Sequence, residues 1–143
     1  MKSFLYHLQI NVSNPKKSFP FYKDLLKLLG YKIVDEGDWG LDAKNPSFPD
    51  LADVLVIKTE SKFQKTKFHR KNTGLNHVAF GVTKRSDVDT FAAKFLKPRK
   101  IIPLYDSPKD YPQYAKGYYA VFFEDPDRIK LEVLYIPRFG KMG

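Results

Sequence analysis

The chain has 143 residues, enough for one domain or for two half-size modules that share a core. It is 43% hydrophobic and 15% aromatic, and it contains no cysteine. The absence of cysteine excludes disulfides, thiolate nucleophiles and zinc–thiolate sites, so any metal must be held by nitrogen and oxygen. This composition suits a reducing cytoplasm, where we expect the protein to be located.

The formal charge of +9 fits either a basic surface for polyanions or a field that draws small anionic substrates to a cleft. The lysines are scattered, and the densest basic stretch, residues 58–71, is typical of a solvated loop. No helix-turn-helix or aromatic RNA-binding signature is present, so we expect no nucleic-acid partner. No signal segment and no apolar run of about 18 residues is present, so we expect neither secretion nor membrane insertion.

Hydrophobic periodicity predicts the same order of elements twice: a strand, a helix and three strands. The first half has a strand over 4–12, a helix ending at Gly30, and strands over 31–35, 39–41 and 54–57. The second half has a strand over 75–82, a helix from Ser86 as N-cap to Phe95, and strands near 101–105, 118–124 and 129–136. Residues 106–114, rich in Pro and Tyr, are predicted to form a long loop at the rim of a cleft.

The start of the first helix carries two opposing signals. Asn14 is a plausible N-cap, and Pro15 suits the first helical position. Pro20 would remove a hydrogen bond deeper in the helix. We therefore expect the regular helix to begin only near Ser18.

The fold class predicted from these elements is α+β, a single domain over 1–143. Module one spans about 4–60, a linker loop about 61–73, and module two about 74–137. We expect the two βαβββ modules to form a curved, partly closed mixed sheet around a cavity, with the helices on its outer face.

Two histidines occupy the same position in two similar strands. His7 opens H-L-Q-I-N-V-S and His77 opens H-V-A-F-G-V-T, 70 residues later. Alternation places the apolar residues of each strand on one face and the histidine on the other. In the last strand the same alternation places Glu132 opposite the apolar face of Leu131 and Val133. Two imidazoles and a carboxylate are a metal site if they converge.

Several motifs occur here in a characteristic order. They are H-x-x-I-x-V-S at His7 with Phe21-Tyr22 and Leu25-Leu26 behind it, Gly74-Leu75-Asn76-His77-Val78-Ala79-Phe80, and Asp125-Pro126-Asp127-Arg128 before the final strand. Together with the twin βαβββ units they resemble the vicinal oxygen chelate superfamily, the glyoxalase/bleomycin-resistance/dioxygenase group. The resemblance covers nearly the whole chain. The family normally has glycine after D-P-D, where this chain has Arg128, so the turn is less permissive.

The resemblance implies a divalent metal, Zn, Mn, Ni or Fe(II), that holds two neighbouring oxygens of a substrate. It assigns His7, His77 and Glu132 as the metal ligands. Three protein ligands leave open coordination positions, which Lewis-acid chemistry requires. The alternative is a closed, metal-free pocket like that of the drug-binding members.

Glyoxalase I-like members add a fourth ligand, a carboxylate at the end of the first module. Aligning Ile57-Lys58 with Leu131-Glu132 places Lys58 at that position, while Glu60 lies two residues further on. If Lys58 holds the position, the site has three ligands, as in the fosfomycin-modifying transferases and extradiol dioxygenases. If Glu60 substitutes, isomerase-type chemistry stays open.

Polar residues near these positions are candidates for substrate binding and catalysis. Gln9 and Asn11 share the face of His7 and are predicted to bind substrate or to support His7. The long loop offers Tyr111, with Tyr114 as the alternative, as a substrate contact. The candidates for catalysis are Tyr119, with Tyr118 as the alternative, and Glu60.

The sequence therefore predicts a glyoxalase-like metalloenzyme that binds a small, anionic, oxygen-rich substrate. Lyase, isomerase or transferase chemistry is ranked first, and an Fe(II) extradiol-type dioxygenase second. A non-catalytic small-molecule binder, as in antibiotic resistance, is the competing class. The resemblance also implies a homodimer in which His7 of one protomer joins His77 and Glu132 of its partner, although closure within one chain stays open.

Overall fold

The structure is a computed structural model that describes Met1, Ser3 and residues 5–49 and 53–141. Phe4, where the first predicted strand begins, lies outside the described residues. The chain divides into two compact units, Met1–Lys67 and Phe68–Gly143. Within the part of the chain that is described, no helix is both long and apolar enough to cross a membrane.

The first unit is a four-stranded sheet with one helix. Its elements are β1 (His7–Val12), α1 (Pro15–Leu28), β2 (Lys32–Gly37), β3 (Gly40–Lys44) and β4 (Asp53–Lys58), followed by a 3₁₀ turn (Ser61–Phe63). The strand order is β1-β4-β3-β2; β1 and β4 are parallel, and the other pairs are antiparallel. Because β1 and β4 run parallel, the intervening chain returns across the sheet through α1.

The second unit repeats this topology. Its elements are β5 (His77–Gly81), α2 (Arg85–Phe91), a π-helical segment (Ala92–Leu96), β6 (Leu104–Asp110), β7 (Tyr119–Glu124), β8 (Lys130–Tyr135) and a 3₁₀ turn (Phe139–Lys141). The order is β5-β8-β7-β6, again with one parallel pair, β5 and β8. Two open mixed sheets and two helices confirm the predicted α+β fold built from two βαβββ units.

Helix α1 begins earlier than expected. Asn14 is the N-cap and Pro15 the first helical residue, and the Asn14 carbonyl accepts hydrogen bonds from the amides of Lys17 and Ser18. The expected start near Ser18 is wrong because Pro20, inside the helix, removes only its own amide from the hydrogen-bond ladder. The buried face of the helix holds this arrangement; its residues are Ser18, Phe21, Tyr22, Leu25 and Leu26.

Two further boundaries in the second unit differ from the prediction. The N-cap of α2 is Lys84, not Ser86, because the extended Lys84 carbonyl already accepts a bond from the Asp87 amide. The loop predicted over 106–114 is strand up to Asp110. Tyr105 and Asp106 have positive φ, and the pairing with β7 shifts register between Leu104 and Lys109. A bulge thus carries β6 through a proline-containing segment.

The turn before β8 forms around the buried Asp125. Its carboxylate oxygen Oδ1 accepts hydrogen bonds from the amides of Asp127 and Ile129, both at 2.8 Å. Arg128 occupies the left-handed region, with φ of 68°, at the position where the resembling family has glycine. The turn therefore keeps its shape with a cation at that position.

Candidate functional site

The pairing of β5 with β8 brings His77 and Glu132 to one face of the second sheet. His77 lies opposite Lys130, and Ala79 lies opposite Glu132. Residues paired in this register point to the same side, and alternate residues share a face. His77, Lys130 and Glu132 therefore lie together, away from the Leu131 and Val133 face.

Glu132 is the centre of a hydrogen-bonded cluster. Its side chain is 1% exposed, and its Oε2 lies 3.3 Å from His77 Nε2. The Tyr118 hydroxyl donates a hydrogen bond of 2.6 Å to Glu132 Oε1. On the other side of the imidazole, His77 Nδ1 lies 2.7 Å from Asn76 Oδ1. Both ring nitrogens of His77 thus have a defined neighbour.

The surroundings of this cluster change the protonation of its members. Burial raises the pKa of the Glu132 carboxyl, although Tyr118 and Lys130 act in the opposite direction. Burial and the Lys130 charge lower the pKa of His77. Burial, followed by the bond to Glu132, raises the pKa of Tyr118. At neutral pH Tyr118 is therefore a protonated donor and His77 a neutral imidazole.

An apolar cluster surrounds the polar groups on this face. Its buried members are Tyr111, Ala120, Phe122, Leu134 and Ile136, with Leu104, Tyr118 and Phe139 packed against them. Only Glu132 interrupts the buried apolar residues within β8 itself. Burying a carboxylate among apolar side chains costs free energy unless the carboxylate is hydrogen-bonded, paired with a charge or bound to a metal.

Lys130 is the cation of the site. Its Nζ lies 5.5 Å from the ring centroid of Phe122 and 5.8 Å from that of Tyr105. Among the described residues it forms no ion pair with a carboxylate. A half-buried cation above two aromatic rings, beside Glu132 and His77, is placed to attract an anionic group. Sequence reasoning missed Lys130, although its position two residues before Glu132 puts it on the same strand face.

The predicted residues of the first unit share one exposed face. His7, Gln9 and Asn11 alternate with the more buried Leu8, Ile10 and Val12. The Tyr6 ring meets His7 edge-on, with 5.7 Å between ring centroids. The face of β1 that carries His7 is therefore open, as the alternation predicts.

The register also identifies the first-unit residue that corresponds to Glu132. Gln9 lies opposite Leu55 in the first unit, just as Ala79 lies opposite Glu132 in the second. Leu55 is therefore the counterpart of Glu132, and the alignment that assigned Lys58 to this position is wrong. Lys58 lies on the opposite face of β4. Glu60, an alternative ligand and catalytic candidate, is exposed beyond the strand and pairs with Lys62 at 3.2 Å.

The tyrosine candidates separate into two groups. The Tyr119 hydroxyl donates to Asp89 of α2, and burial together with that bond raises the pKa of Tyr119 to about 12. Tyr119 therefore points to the helix side, and Tyr118 is the tyrosine that the structure brings to Glu132. Tyr111 is buried on the Glu132 side, and its hydroxyl oxygen lacks a hydrogen bond of normal geometry. Tyr114 stacks on Tyr111 and is exposed.

The predicted metal ligands do not form a complete set among the residues that the structure describes. No group of three or more His, Cys, Asp or Glu side chains able to hold a metal ion occurs among the residues described for this chain. In the second unit two of the predicted donor atoms, His77 Nε2 and Glu132 Oε2, lie next to each other. Donors bonded to one metal at about 2.1 Å lie about 3.0–3.4 Å apart, and the observed 3.3 Å fits that separation.

Comparisons with known proteins agree with the fold. The profile of the Glyoxalase/Bleomycin resistance protein/Dioxygenase superfamily matches residues 5–133. The uncharacterised protein YqjT of Bacillus subtilis (strain 168) is 33% identical over 132 residues, which cover 91% of this chain and 97% of YqjT.

Two solved structures show the same similarity. A Bacillus halodurans protein, provisionally named a glyoxalase, is 36% identical with a TM-score of 0.82; the match covers 94% of this chain and 97% of that one. Lactoylglutathione lyase from Agrobacterium tumefaciens has a TM-score of 0.65 at 16% identity, with 97% and 98% covered, and so shares the fold.

Proposed function

The chain belongs to the Glyoxalase/Bleomycin resistance protein/Dioxygenase superfamily, and from this premise we propose that it is a metal-dependent enzyme acting on a small anionic molecule with two neighbouring oxygens. The observation that carries the proposal is Glu132, a fully buried carboxylate whose Oε2 faces an imidazole nitrogen at 3.3 Å. A buried charge of this kind is normally paired or bound to a metal.

The donor set fits a divalent cation of intermediate softness. Imidazole nitrogen and carboxylate oxygen suit Zn, Mn, Ni and Fe(II). In the proposal His77 and Glu132 hold the metal together with His7, which completes a site with three protein ligands. Following the resemblance, we place His7 on the partner protomer of a homodimer.

Leu55 bears on which class of reaction the proposed enzyme catalyses. Because the counterpart of Glu132 in the first unit is a leucine, the fourth carboxylate of glyoxalase I-like members is missing at that position. By resemblance, a three-ligand site favours transferase-type chemistry over glyoxalase I-type isomerisation. A metal bound there would supply Lewis-acid polarisation of two neighbouring substrate oxygens.

The chain's own residues have distinct roles in this proposal. Tyr118 orients Glu132 by donating to Oε1, which leaves Oε2 free. Lys130 binds the negative group of the substrate. The apolar cluster around Leu134 and Phe122 excludes water from the carbon skeleton and strengthens these electrostatic contacts. Tyr111 offers a buried hydroxyl as a further hydrogen-bond partner.

Divalent metals are expected to stabilise the wild-type protein strongly. At a metal concentration about 1,000 times Kd the stabilisation is about 4 kcal/mol, because the metal binds the folded state alone. For a chain of this size that is roughly 10–20 °C in melting temperature. The measurement is thermal unfolding of chelator-treated protein during titration with Zn, Mn, Ni and Fe(II).

His77→Ala and His7→Ala should each lose that stabilisation, whereas His69→Ala, in an exposed loop, should keep it. A one-to-one mixture of refolded His7→Ala and His77→Ala chains should recover about a quarter of the metal sites if ligands come from two protomers, because about half of the dimers are mixed and each mixed dimer has one intact site. Equal metal-dependent shifts in wild type and His77→Ala would refute the proposed function.

Lys130 gives the proposal a test of substrate charge. Oxalate, a dianion with vicinal oxygens, is expected to add further stability to the metal-loaded protein. In Lys130→Met the oxalate affinity should fall about tenfold, or about 1.4 kcal/mol, measured by calorimetric titration. Lys94→Met, which removes an exposed helix cation, is the matched control. Equal oxalate affinity in both variants would exclude Lys130 as the anion-binding residue.

A further inference from the structure

Asn76, the residue before His77, contacts the imidazole on the side away from Glu132. Its Oδ1 lies 2.7 Å from His77 Nδ1. Its Nδ2 donates to the backbone carbonyl of Arg70 at 3.4 Å. The amide orientation follows from the second contact, because only the NH₂ group can donate to a carbonyl. The oxygen therefore faces the imidazole, and His77 Nδ1 must be the donor.

The carbonyl that orients Asn76 is itself tied to the sheet. The Arg70 guanidinium donates to Glu124 Oε1 at 2.5 Å, and both side chains are about one-fifth exposed. Glu124 is the last residue of β7 and also accepts from Arg128 at 3.3 Å. A loop predicted as basic and solvated thus contains one arginine with a structural role. The chain of contacts runs from the end of β7 through Arg70 and Asn76 to the ring of His77.

The first unit lacks this arrangement. Tyr6 stands where Asn76 stands in the second unit, and it meets His7 through a ring edge. Among the described residues the His7 side chain makes no hydrogen bond. The two histidines are equivalent in the fold but differ in how their rings are held.

We propose that Asn76 is a positioning residue that keeps His77 protonated on Nδ1, with the Nε2 lone pair turned towards Glu132. The functional meaning of this inference rests on the proposed metal site, because a metal ligand must present an unprotonated nitrogen. Asn76 acts through His77 and needs no contact with substrate. It also gives His77 a fixed ring orientation before any ligand binds.

The tautomer can be measured without metal. In chelator-treated protein labelled with ¹⁵N-histidine, at about pH 8 where imidazoles are neutral, long-range ¹H–¹⁵N spectra should show His77 protonated on Nδ1. Asn76→Ala should shift the population towards the Nε2-protonated form. Asn76→Asp keeps the acceptor and should restore the wild-type tautomer. Asn72→Ala, in the same loop, should leave it unchanged. An Nε2-protonated His77 in the wild type, or the same tautomer in Asn76→Ala, would overturn the inference.

Metal affinity gives the second measurement. Asn76→Ala should bind Zn about 10- to 100-fold more weakly than the wild type, the loss expected when the orienting partner of a ligand histidine is removed. Asn76→Asp should recover the affinity, and Asn72→Ala should retain it. If the wild type binds no metal, the proposed function fails while the tautomer measurement still decides the inference. If Asn76→Ala binds Zn as tightly as the wild type, the inference fails and the proposed function stands.

Discussion

Glu132→Gln is expected to weaken divalent-metal binding about 1,000-fold, or about 4 kcal/mol of binding free energy, while it makes the metal-free protein more stable than the wild type. The first effect follows from the charge of Glu132 and the second from its burial. The amide removes the negative charge that a divalent cation requires. It also lets the NH₂ group donate to His77 Nε2 while the amide oxygen still accepts from Tyr118.

The stability gain follows from the proposed tautomer of His77, in which the wild-type carboxylate faces the unprotonated Nε2 across 3.3 Å. The Glu132 side chain is buried, so its Oε2 faces an acceptor where it needs a donor, which costs about 1–3 kcal/mol. We therefore expect metal-free Glu132→Gln to unfold at higher urea concentration by about that free energy. Glu60→Gln, which changes an exposed carboxylate, should alter stability by less than about 0.5 kcal/mol and should bind metal like the wild type.

The advantage of Glu132→Gln should depend on pH. Because burial raises the pKa of Glu132 above its ordinary value of 4.5, the folded wild type binds a proton more readily than the unfolded chain does. The wild type therefore loses stability as pH rises from about 4.5 through the folded pKa. The Glu132→Gln variant lacks this pH dependence because its amide does not titrate. The stability difference should vanish in acid, where Glu132 is protonated, and should be full at pH values above the folded pKa. A difference that is the same at both pH values would contradict the buried-charge explanation.

The fold could be predicted from the sequence because each unit is built from locally coded pieces. Alternation defines β1 and β5, and helical spacing defines a buried face on each helix; Phe91 and Phe95 are buried in the second unit where Phe21 and Leu25 are in the first. These patterns depend only on the period of each element. The same order of elements occurs twice, and few sheet topologies are compatible with that order.

The candidate site could be predicted only in part because strand pairing is not local. The offset of 70 residues holds for His7 and His77 but fails later, since 48 residues separate His7 from Leu55 and 55 separate His77 from Glu132. The extra residues of the second unit follow its first strand, and no sequence signal specifies the register. A shift by an odd number of residues changes the face that a side chain occupies, which is how Lys58 was assigned to the position of Leu55.

The non-local pairing of strands also explains why the sequence could not choose between the two tyrosines at the start of β7. Tyr118 and Tyr119 are adjacent and chemically identical, so composition cannot choose between them. Only the register of β7 against β8, in which Phe122 lies opposite Glu132, places Tyr118 on the Glu132 side and Tyr119 on the helix side. Asn76 and Lys130 were missed for a related reason, because their roles come from contacts with His77 and with rings on other strands.

Leu55→Glu is expected to increase divalent-metal affinity about 100-fold, or about 2.7 kcal/mol, by supplying the carboxylate that the first unit lacks. Leu55 is half-buried and lies opposite Asp42 in β3. Asp42 Oδ1 is buried without a hydrogen bond, and burial followed by the Asp53 charge raises the pKa of Asp42. A second carboxylate directly opposite should destabilise the metal-free protein by about 1 kcal/mol. Metal binding should more than offset that loss.

Leu55→Gln separates charge from size in this experiment, because its side chain matches glutamate in volume and carries no charge. In metal titrations Leu55→Glu should bind the metal more tightly than Leu55→Gln. In urea unfolding without metal, Leu55→Glu should be the less stable of the two variants. If the two variants bind metal equally while Leu55→Glu alone is destabilised, position 55 lies beside Asp42 but not within reach of the metal.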